Sequence, residues 1–181
     1  VLPASGWRSI IYANALYIMV SDKQIITSPD TINWTIVTTL DETYSPLRTI
    51  VFGNGTYLIS SPQYQNNPYD RYKILRSANL TVFSKIMPTE NNTWQSITVG
   101  GQLNFSRFVI ISSDGTNRIM NSLDGTNWTA RAVPLPNDSG WQSVTYGNGL
   151  FVAVAVSGTN RVMTSPDGIN WTIRTSAADN S

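Results

Sequence analysis

Residues 141–171, WQSVTYGNGLFVAVAVSGTNRVMTSPDGINW, contain four short runs of β-branched and aromatic residues that are separated by three turn signals. Asn148-Gly149 is the strongest signal, because a type I′ turn needs positive φ at both central positions and Asn-Gly tolerates this. The segments 158–160 (GTN) and 166–168 (PDG) mark the second and third turns. The stretch therefore predicts a four-stranded antiparallel meander, with strands at 142–147, 150–157, 161–165 and 169–174.

The segment that closes this stretch, SPDGINW at 165–171, recurs upstream. Copies stand at 28–34 (SPDTINW) and 122–128 (SLDGTNW), with a decayed copy at 77–83 (SANLTVF). Their closing aromatic residues are 49, 45 and 43 positions apart, which is the spacing of four-stranded propeller blades, ~40–50 residues. Each repeat also opens on a shared pattern, as in WRSIIYANALY at 7–17 and WQSVTYGNGLF at 141–151.

The repeats predict an all-β fold, a β-propeller built of four four-stranded antiparallel blades of ~45 residues each. We expect a single domain over 1–181 with repeats at 6–43, 46–90, 93–133 and 140–175. Three arrangements stay open at this point. The four blades close on themselves, they are consecutive blades of a larger propeller, or several chains assemble.

Composition limits the chemistry open to these 181 residues. Only 13% of them are charged and the formal net charge is +1, so a nucleic-acid partner is not expected. The chain has no cysteine and no histidine, which removes disulfides, thiolate nucleophiles and the commonest metal ligand. No cofactor and no metal are therefore expected. No membrane insertion is expected either, because no apolar run reaches the ~20 residues of a membrane helix.

Eight N-glycosylation sequons favour an extracellular or surface-exposed setting, whether secreted, on a cell or on a virion. A repeat rich in Asn, Ser and Thr also generates sequons by repetition. That second explanation is favoured, because three of the eight share one repeat position. The sequon asparagines are Asn33, Asn54, Asn79, Asn91, Asn104, Asn127, Asn137 and Asn170.

The Ser-x-Asp-Gly-x-x-Trp segments resemble the Asp-box, or BNR, repeat of sialidase-like β-propellers, and the resemblance covers all four repeats. Their spacing is one residue shorter than the commonest form, Ser-x-Asp-x-Gly-x-Thr-Trp. The resemblance implies a hairpin at the outer edge of each blade, in which serine and aspartate bond turn backbone groups and the aromatic packs into the blade core. The residues given this structural role are Ser28, Asp30, Trp34, Ser122, Asp124, Trp128, Ser165, Asp167 and Trp171.

The second repeat carries an expanded middle turn at 61–72, and insertions within a repeat map to loops that often carry function. Its tyrosines could stack on sugar rings while neighbouring polar groups bond the hydroxyls. A surface loop packed on its neighbours explains the same residues. The hypothetical ligand-binding residues are Tyr64, Asn66, Asn67, Tyr69, Asp70, Arg71 and Tyr72. Trp7, Trp94 and Trp141 could line a recurring groove, but equivalent positions in repeats are more often core.

No catalytic residue is assigned, and the chain is predicted not to be an enzyme. Glycoside hydrolysis usually needs two carboxylates that flank the scissile bond, and the acids outside the Asp-box positions form no recognisable pair. Arg118 and Arg161 recur in the segment Gly-Thr-Asn-Arg. We interpret them as scaffold side chains and not as part of a sialidase-type arginine triad.

The sequence therefore favours a non-enzymatic surface recognition module, lectin-like or adhesive, that binds a glycan or a surface protein through propeller loops. The alternative is an architectural propeller segment of a larger extracellular, phage or virion assembly, which self-assembles or contacts neighbours in a parent chain. A start at Val1 instead of methionine motivates that alternative. A sialidase-like glycoside hydrolase is the least favoured hypothesis.

Overall fold

The computed structural model describes residues 6–40, 46–61, 74–101, 106–134, 140–158 and 160–175, which form sixteen β-strands and no helix. The strands make four four-stranded antiparallel sheets, and each sheet is a meander of consecutive strands. The all-β class and the four four-stranded sheets predicted from the repeats are confirmed.

We call the sheets blades 1 to 4 in chain order. Blade 1 contains β1 (Trp7–Ala13), β2 (Leu16–Ser21), β3 (Gln24–Ser28) and β4 (Thr35–Thr39). Blade 2 contains β5 (Ile50–Gly53), β6 (Thr56–Ser60), β7 (Ile74–Ser77) and β8 (Ser84–Ile86). Blade 3 contains β9 (Trp94–Gly100), β10 (Arg107–Ser112), β11 (Ile119–Ser122) and β12 (Thr129–Arg131). Blade 4 contains β13 (Trp141–Gly147), β14 (Leu150–Ala155), β15 (Val162–Ser165) and β16 (Thr172–Arg174).

The first hairpin of blades 1, 2 and 4 is a two-residue turn, as the Asn-Gly signal predicts. Both central residues have positive φ in Asn14-Ala15 (51° and 59°), Asn54-Gly55 (49° and 70°) and Asn148-Gly149 (47° and 79°). An aromatic pair bridges each of these hairpins, with ring centroids 4.8, 4.5 and 4.7 Å apart. Because such a turn fixes the register, it also decides which residues face each side of the blade.

Two predicted strand boundaries in blade 4 are wrong by two residues or more, and the starts of β13 and β15 are each wrong by one residue. The fourth strand begins at Thr172 and not at 169, because the backbone amides of Ile169 and Asn170 each donate to Oδ1 of Asp167 at 2.8 Å. The second strand ends at Ala155 and not at 157, because the Val156 amide donates to the Gly140 carbonyl at 3.0 Å. In both places a contact outside the β-ladder uses the backbone donor.

The chain divides between Met87 and Pro88 into two compact units, and the first unit holds blades 1 and 2. Alternate residues of a strand face opposite sides of its sheet. One side of blade 1, which we call its forward face, carries Ile18 and Val20. It packs on the opposite side of blade 2, the rear face, which carries Ile50 and Ile59. The Ile50 amide also donates to the Ser9 hydroxyl across this contact, at 3.3 Å.

The second unit repeats the same packing with blades 3 and 4. Val109 and Ile111 on the forward face of blade 3 cluster with Val144 and Phe151 on the rear face of blade 4. The Val144 amide donates to the Ser96 hydroxyl, again at 3.3 Å. Each unit is therefore built by one forward face packing on the rear face of the next blade.

We expect Gly149→Ala to lower the free energy of unfolding by about 1 kcal/mol, because an L-residue pays that cost in the left-handed region. Gly149 has φ +79° and open space around the Cβ that alanine would add. Gly147 is a matched control, because it has the same open space without a positive φ. Denaturant unfolding of both variants checks this, and equal effects would contradict the turn assignment.

Candidate functional site

The Ser-x-Asp turn of blade 3 is organised by two side chains. The Ser122 hydroxyl donates to Oδ1 of Asp124 at 2.9 Å and accepts the Gly125 amide at 2.9 Å. Oδ1 of Asp124 also accepts the amides of Thr126 and Asn127, both at 2.8 Å. Its other oxygen, Oδ2, accepts Nδ2 of Asn127 at 2.7 Å. Both oxygens of this carboxylate are thus used to close the turn.

The other three turns have the same geometry. Oδ1 of Asp30 and of Asp167 accepts two turn amides at 2.8–2.9 Å, and Oδ2 of each accepts the side-chain amide of the following asparagine at 2.7–2.8 Å. In the decayed copy of blade 2, Oδ1 of Asn79 accepts two turn amides at 3.0 and 3.1 Å. An amide oxygen therefore builds the turn as well, through longer bonds.

Hydrogen bonding lowers the pKa of all three turn aspartates. The Asn127 backbone amide is the largest cause at Asp124, and the Asn33 backbone amide is the largest at Asp30. At Asp167 partial burial raises the pKa, but bonds from the following turn outweigh it and bring the pKa to about 2. Donors that stabilise the ionised form explain the direction of these shifts.

The residue after the turn aspartate, or after Asn79 in blade 2, takes a left-handed conformation with φ between 65° and 72°. Glycine fills this position in blades 3 and 4, where the conformation is free of strain. Thr31 and Leu80 fill it in blades 1 and 2, and both have φ 65°. The two differ in burial, because Leu80 belongs to the core of the first unit whereas Thr31 is exposed.

The recurring arginines are scaffold side chains, as their shared repeat position predicts. Nε of Arg118 donates to the Gly115 carbonyl, and Nε of Arg161 donates to the Gly158 carbonyl, both at 2.8 Å. The opening tryptophans Trp94 and Trp141 are fully buried, so they are core residues in their blades. Their indole nitrogens have no hydrogen-bond partner among the described residues.

The closing tryptophans differ between blades. Trp128 and Trp171 are buried, and Trp171 belongs to the core of the second unit. Trp34 in blade 1 is only half-buried, and its indole Nε1 donates to the Thr31 carbonyl at 3.0 Å. The closing tryptophan is therefore buried more deeply in blades 3 and 4 than in blade 1.

The hypothetical ligand-binding loop lies outside the described residues. Its members therefore stay a prediction from the sequence: Tyr64, Asn66, Asn67, Tyr69, Asp70, Arg71 and Tyr72.

An open cleft of about 250 Å³ lies beside the Ser-x-Asp turn of blade 3. Nη1 of the half-buried Arg107 donates to Oδ1 of Asn121 at 3.1 Å. Nδ2 of the buried Asn121 donates in turn to the Gly168 carbonyl of blade 4, also at 3.1 Å. The rest of the lining is polar apart from one leucine: Ser122, Leu123, Asp124, Asn127 and Thr129.

Sequence reasoning missed this cleft, although a signal was present. Arg107 and Asn121 occupy repeat positions that hold other residues in the remaining blades, as strand register shows. Leucine replaces the arginine in blades 1 and 4, where threonine replaces the asparagine. A residue that departs from its repeat is not required by the shared scaffold, which makes it a candidate for function.

The part of the chain that the structure describes shows no cluster of three acidic, histidine or cysteine side chains able to hold a metal. None of its elements is a helix with the length and apolar character needed to cross a membrane.

No protein-family model matches the chain, and no curated protein sequence matches it. Among solved structures it is similar to the computationally designed Ika4 protein, with a TM-score of 0.61, 13% identity, and coverage of 91% of this chain and 92% of that chain. It is also similar to virginiamycin B lyase from Staphylococcus aureus, solved with quinupristin as a catalytically inactive variant in which a histidine is replaced by alanine. That match has a TM-score of 0.74 and 15% identity over 96% of this chain and 57% of the lyase.

A third similar structure is the nidogen/laminin complex, with a TM-score of 0.72 and 15% identity over 96% of this chain and 66% of that chain. These neighbours are β-propellers, so the propeller fold is shown for this chain. The chain spans less than two thirds of the lyase and nidogen/laminin chains. At these identities the likeness shows the fold alone.

Acidification should weaken the turn of blade 4, because the pKa of Asp167 is lowered from 3.8 to about 2. A group with a depressed folded-state pKa contributes stability that is complete above pH 3.8 and is lost as the pH falls through about 2. We expect the stability advantage of the wild type over Asp167→Asn to shrink across that window. Denaturant unfolding through the window checks this, and an advantage that is constant with pH would contradict it.

Thr31→Gly should raise the free energy of unfolding by up to about 1 kcal/mol, because glycine adopts the left-handed conformation without strain. Leu80→Gly is the matched control, since it relieves the same φ of 65° but removes a buried side chain. That control should lower stability. Thermal or denaturant unfolding of both variants decides the matter, and a destabilised Thr31→Gly would contradict the strain argument.

Proposed function

We propose that this chain is a non-enzymatic recognition module that binds a protein or glycan partner at a surface. The proposal rests on the observation that the described carboxylates are engaged in structural contacts. All six carboxylates that the structure describes hold a structural hydrogen bond or ion pair. Asp22 pairs with Nε of Arg8 at 2.8 Å, and Glu90 accepts Nδ2 of Asn117 at 2.7 Å. Asp114 accepts the Thr93 amide at 2.6 Å, and the turn aspartates complete the set.

The direction of the pKa shifts supports a non-enzymatic role. A glycosidase needs one carboxylic acid whose pKa is raised, so that it holds a proton at working pH. The three turn aspartates have lowered pKa values, so they are ionised acceptors and poor proton donors. The structurally similar virginiamycin B lyase is inactive when a histidine is replaced by alanine, and this chain has no histidine.

We also infer that the Ser-x-Asp turns are shortened Asp-box repeats. Their serine and aspartate side chains bond the turn backbone, as that family resemblance implies. Such turns stiffen a scaffold and leave recognition to other parts of the blade. An extracellular or surface setting remains part of the proposal, and the sequons motivate it. The side-chain amides of Asn33, Asn127 and Asn170 support the turn aspartates, which argues against glycan attachment at these three nitrogens.

Partner binding is proposed for the blade 3 cleft, with the loop at 64–72 as a second contact. Arginine and asparagine donors lie there beside hydroxyl, amide and carboxylate oxygens. This mixture of donors and acceptors suits neutral polar groups, such as sugar hydroxyls or a peptide backbone. Protein binding is supported by the fold-level likeness to a chain of the nidogen/laminin complex.

The test is a screen of the purified chain against glycan and peptide arrays, followed by titration of the strongest ligand. The informative variant is the double change Arg107→Leu and Asn121→Thr, because blades 1 and 4 carry these residues at the same register positions. We expect it to fold normally and to weaken binding at least about 10-fold, through lost polar contacts of about 1–2 kcal/mol.

Arg174→Ala is the control. It removes an exposed arginine of blade 4, outside the blade 3 cleft, and should leave binding unchanged. A separate variant with Tyr64, Tyr69 and Tyr72 changed to alanine tests the second-repeat loop. Full binding by the double variant would exclude the cleft. Silence of the wild type across both arrays would exclude the recognition role.

A further inference from the structure

The rear face of blade 1 is exposed along its opening strand β1, although the same strand face is buried in the other three blades. Ile10 is 55% exposed, whereas the residues at its register position are 2% (Ile50), 3% (Ile97) and 6% (Val144) exposed. Tyr12, on the same face, is 64% exposed. Blade 1 therefore presents apolar side chains that a blade of this type normally buries.

The forward face of blade 4 is exposed in the same way. Val154 is 43% exposed, whereas Val20 and Ile111 at its register position are fully buried. Leu150, on the same face, is 38% exposed. Ser143 lies directly across the β-ladder from Val154 and is exposed as well. This face also departs from the pattern set by its equivalents.

The two exposed faces match one another. In both units a forward face packs on a rear face, and an opening-strand serine accepts a backbone amide of the next blade at 3.3 Å. Ser143 occupies the serine position of that contact, and Ile10 occupies the position of the amide donor. Blade 4 thus carries one half of the contact and blade 1 carries the other.

We propose that the forward face of blade 4 binds the rear face of blade 1 in a second copy of this chain, head to tail. A second copy carries the apolar surface and the hydrogen-bonding groups that already complete this contact twice within the chain. A net charge of +1 opposes self-association only weakly. The lyase and nidogen/laminin chains extend beyond the part that this chain matches, whereas the designed Ika4 chain does so only slightly.

The proposal is independent of the blade 3 cleft, which lies on other residues. A heterologous contact of this kind either closes into a ring or continues as an open chain. A single mass that does not grow with concentration indicates closure, and a growing mass indicates an open chain. The ring and the open chain both contain the proposed contact between blade 4 and blade 1.

Light scattering on the purified chain at increasing concentration tests the proposal. The wild type should have at least twice the 20.0 kDa mass of one chain. Ile10→Glu and Val154→Glu each bury an unpaired carboxylate in the proposed contact and should weaken association at least about 100-fold. Ile32→Glu is the matched control, because Ile32 is 79% exposed in a turn outside both faces, and it should associate like the wild type.

Mixing the two glutamate variants distinguishes head-to-tail contact from contact between like faces. The Ile10→Glu chain keeps an intact blade 4 face, and the Val154→Glu chain keeps an intact blade 1 face, so the mixture should regain pairs. A monomeric wild type would overturn the proposal. The two exposed faces would then be candidates for packing on the blades of a different protein. Dissociation by only one of the two variants, or no recovery on mixing, would also overturn it.

Discussion

Each blade of this chain carries apolar side chains on both faces, and their burial requires packing on both sides of the sheet. β10 shows this directly, because all residues from Phe108 to Ser112 are buried and the side chains alternate between the two sides of the sheet. A single four-stranded sheet cannot satisfy this demand alone. Within each unit one recurring contact buries these side chains: a forward face packs on the rear face of the next blade. Blade 1 leaves apolar residues of its rear face exposed, and blade 4 leaves apolar residues of its forward face exposed.

The Ser-x-Asp turns serve this packing by fixing strand register. A shift of one residue would exchange the two faces of a strand and break the forward-to-rear contact. The turn prevents a shift by engaging the amides after the acid with one carboxylate, at 2.8 Å in blades 3 and 4. Blade 2 keeps the turn with Asn79, although the sequence there has decayed. The acceptor oxygen is thus the required feature, and the negative charge is not.

Local signals made much of the fold predictable. The Asn-Gly turn and the recurring closing segment act within a few residues, so the repeats, the all-β class and the four sheets could be predicted from sequence. Strand ends in blade 4 could not, because the Asp167 carboxylate and the Gly140 carbonyl draw backbone amides away from the ladder. The cleft at Arg107 and Asn121 also depends on the bond from Asn121 to the Gly168 carbonyl, which is 47 positions away in sequence. The tyrosine-bearing loop is predicted from its insertion in the second repeat and from its composition, and it lies outside the described residues.

Repetition also separates what the scaffold requires from what it does not. Arg118 and Arg161 make the same bond to a turn carbonyl in two blades, so a charged group in this chain is not in itself a sign of function. No other blade has an arginine at the Arg107 position, but in blade 2 Arg76 donates to the Thr56 hydroxyl at 3.1 Å across the same two repeat positions. In blade 3 the partner Asn121 also links the blade to a turn of blade 4. A buried amide so placed holds the guanidinium at the edge of the cleft without adding apolar packing. Polar groups that deviate from the repeat are therefore the candidates for recognition, whereas apolar groups that follow the repeat but stay exposed are the candidates for assembly.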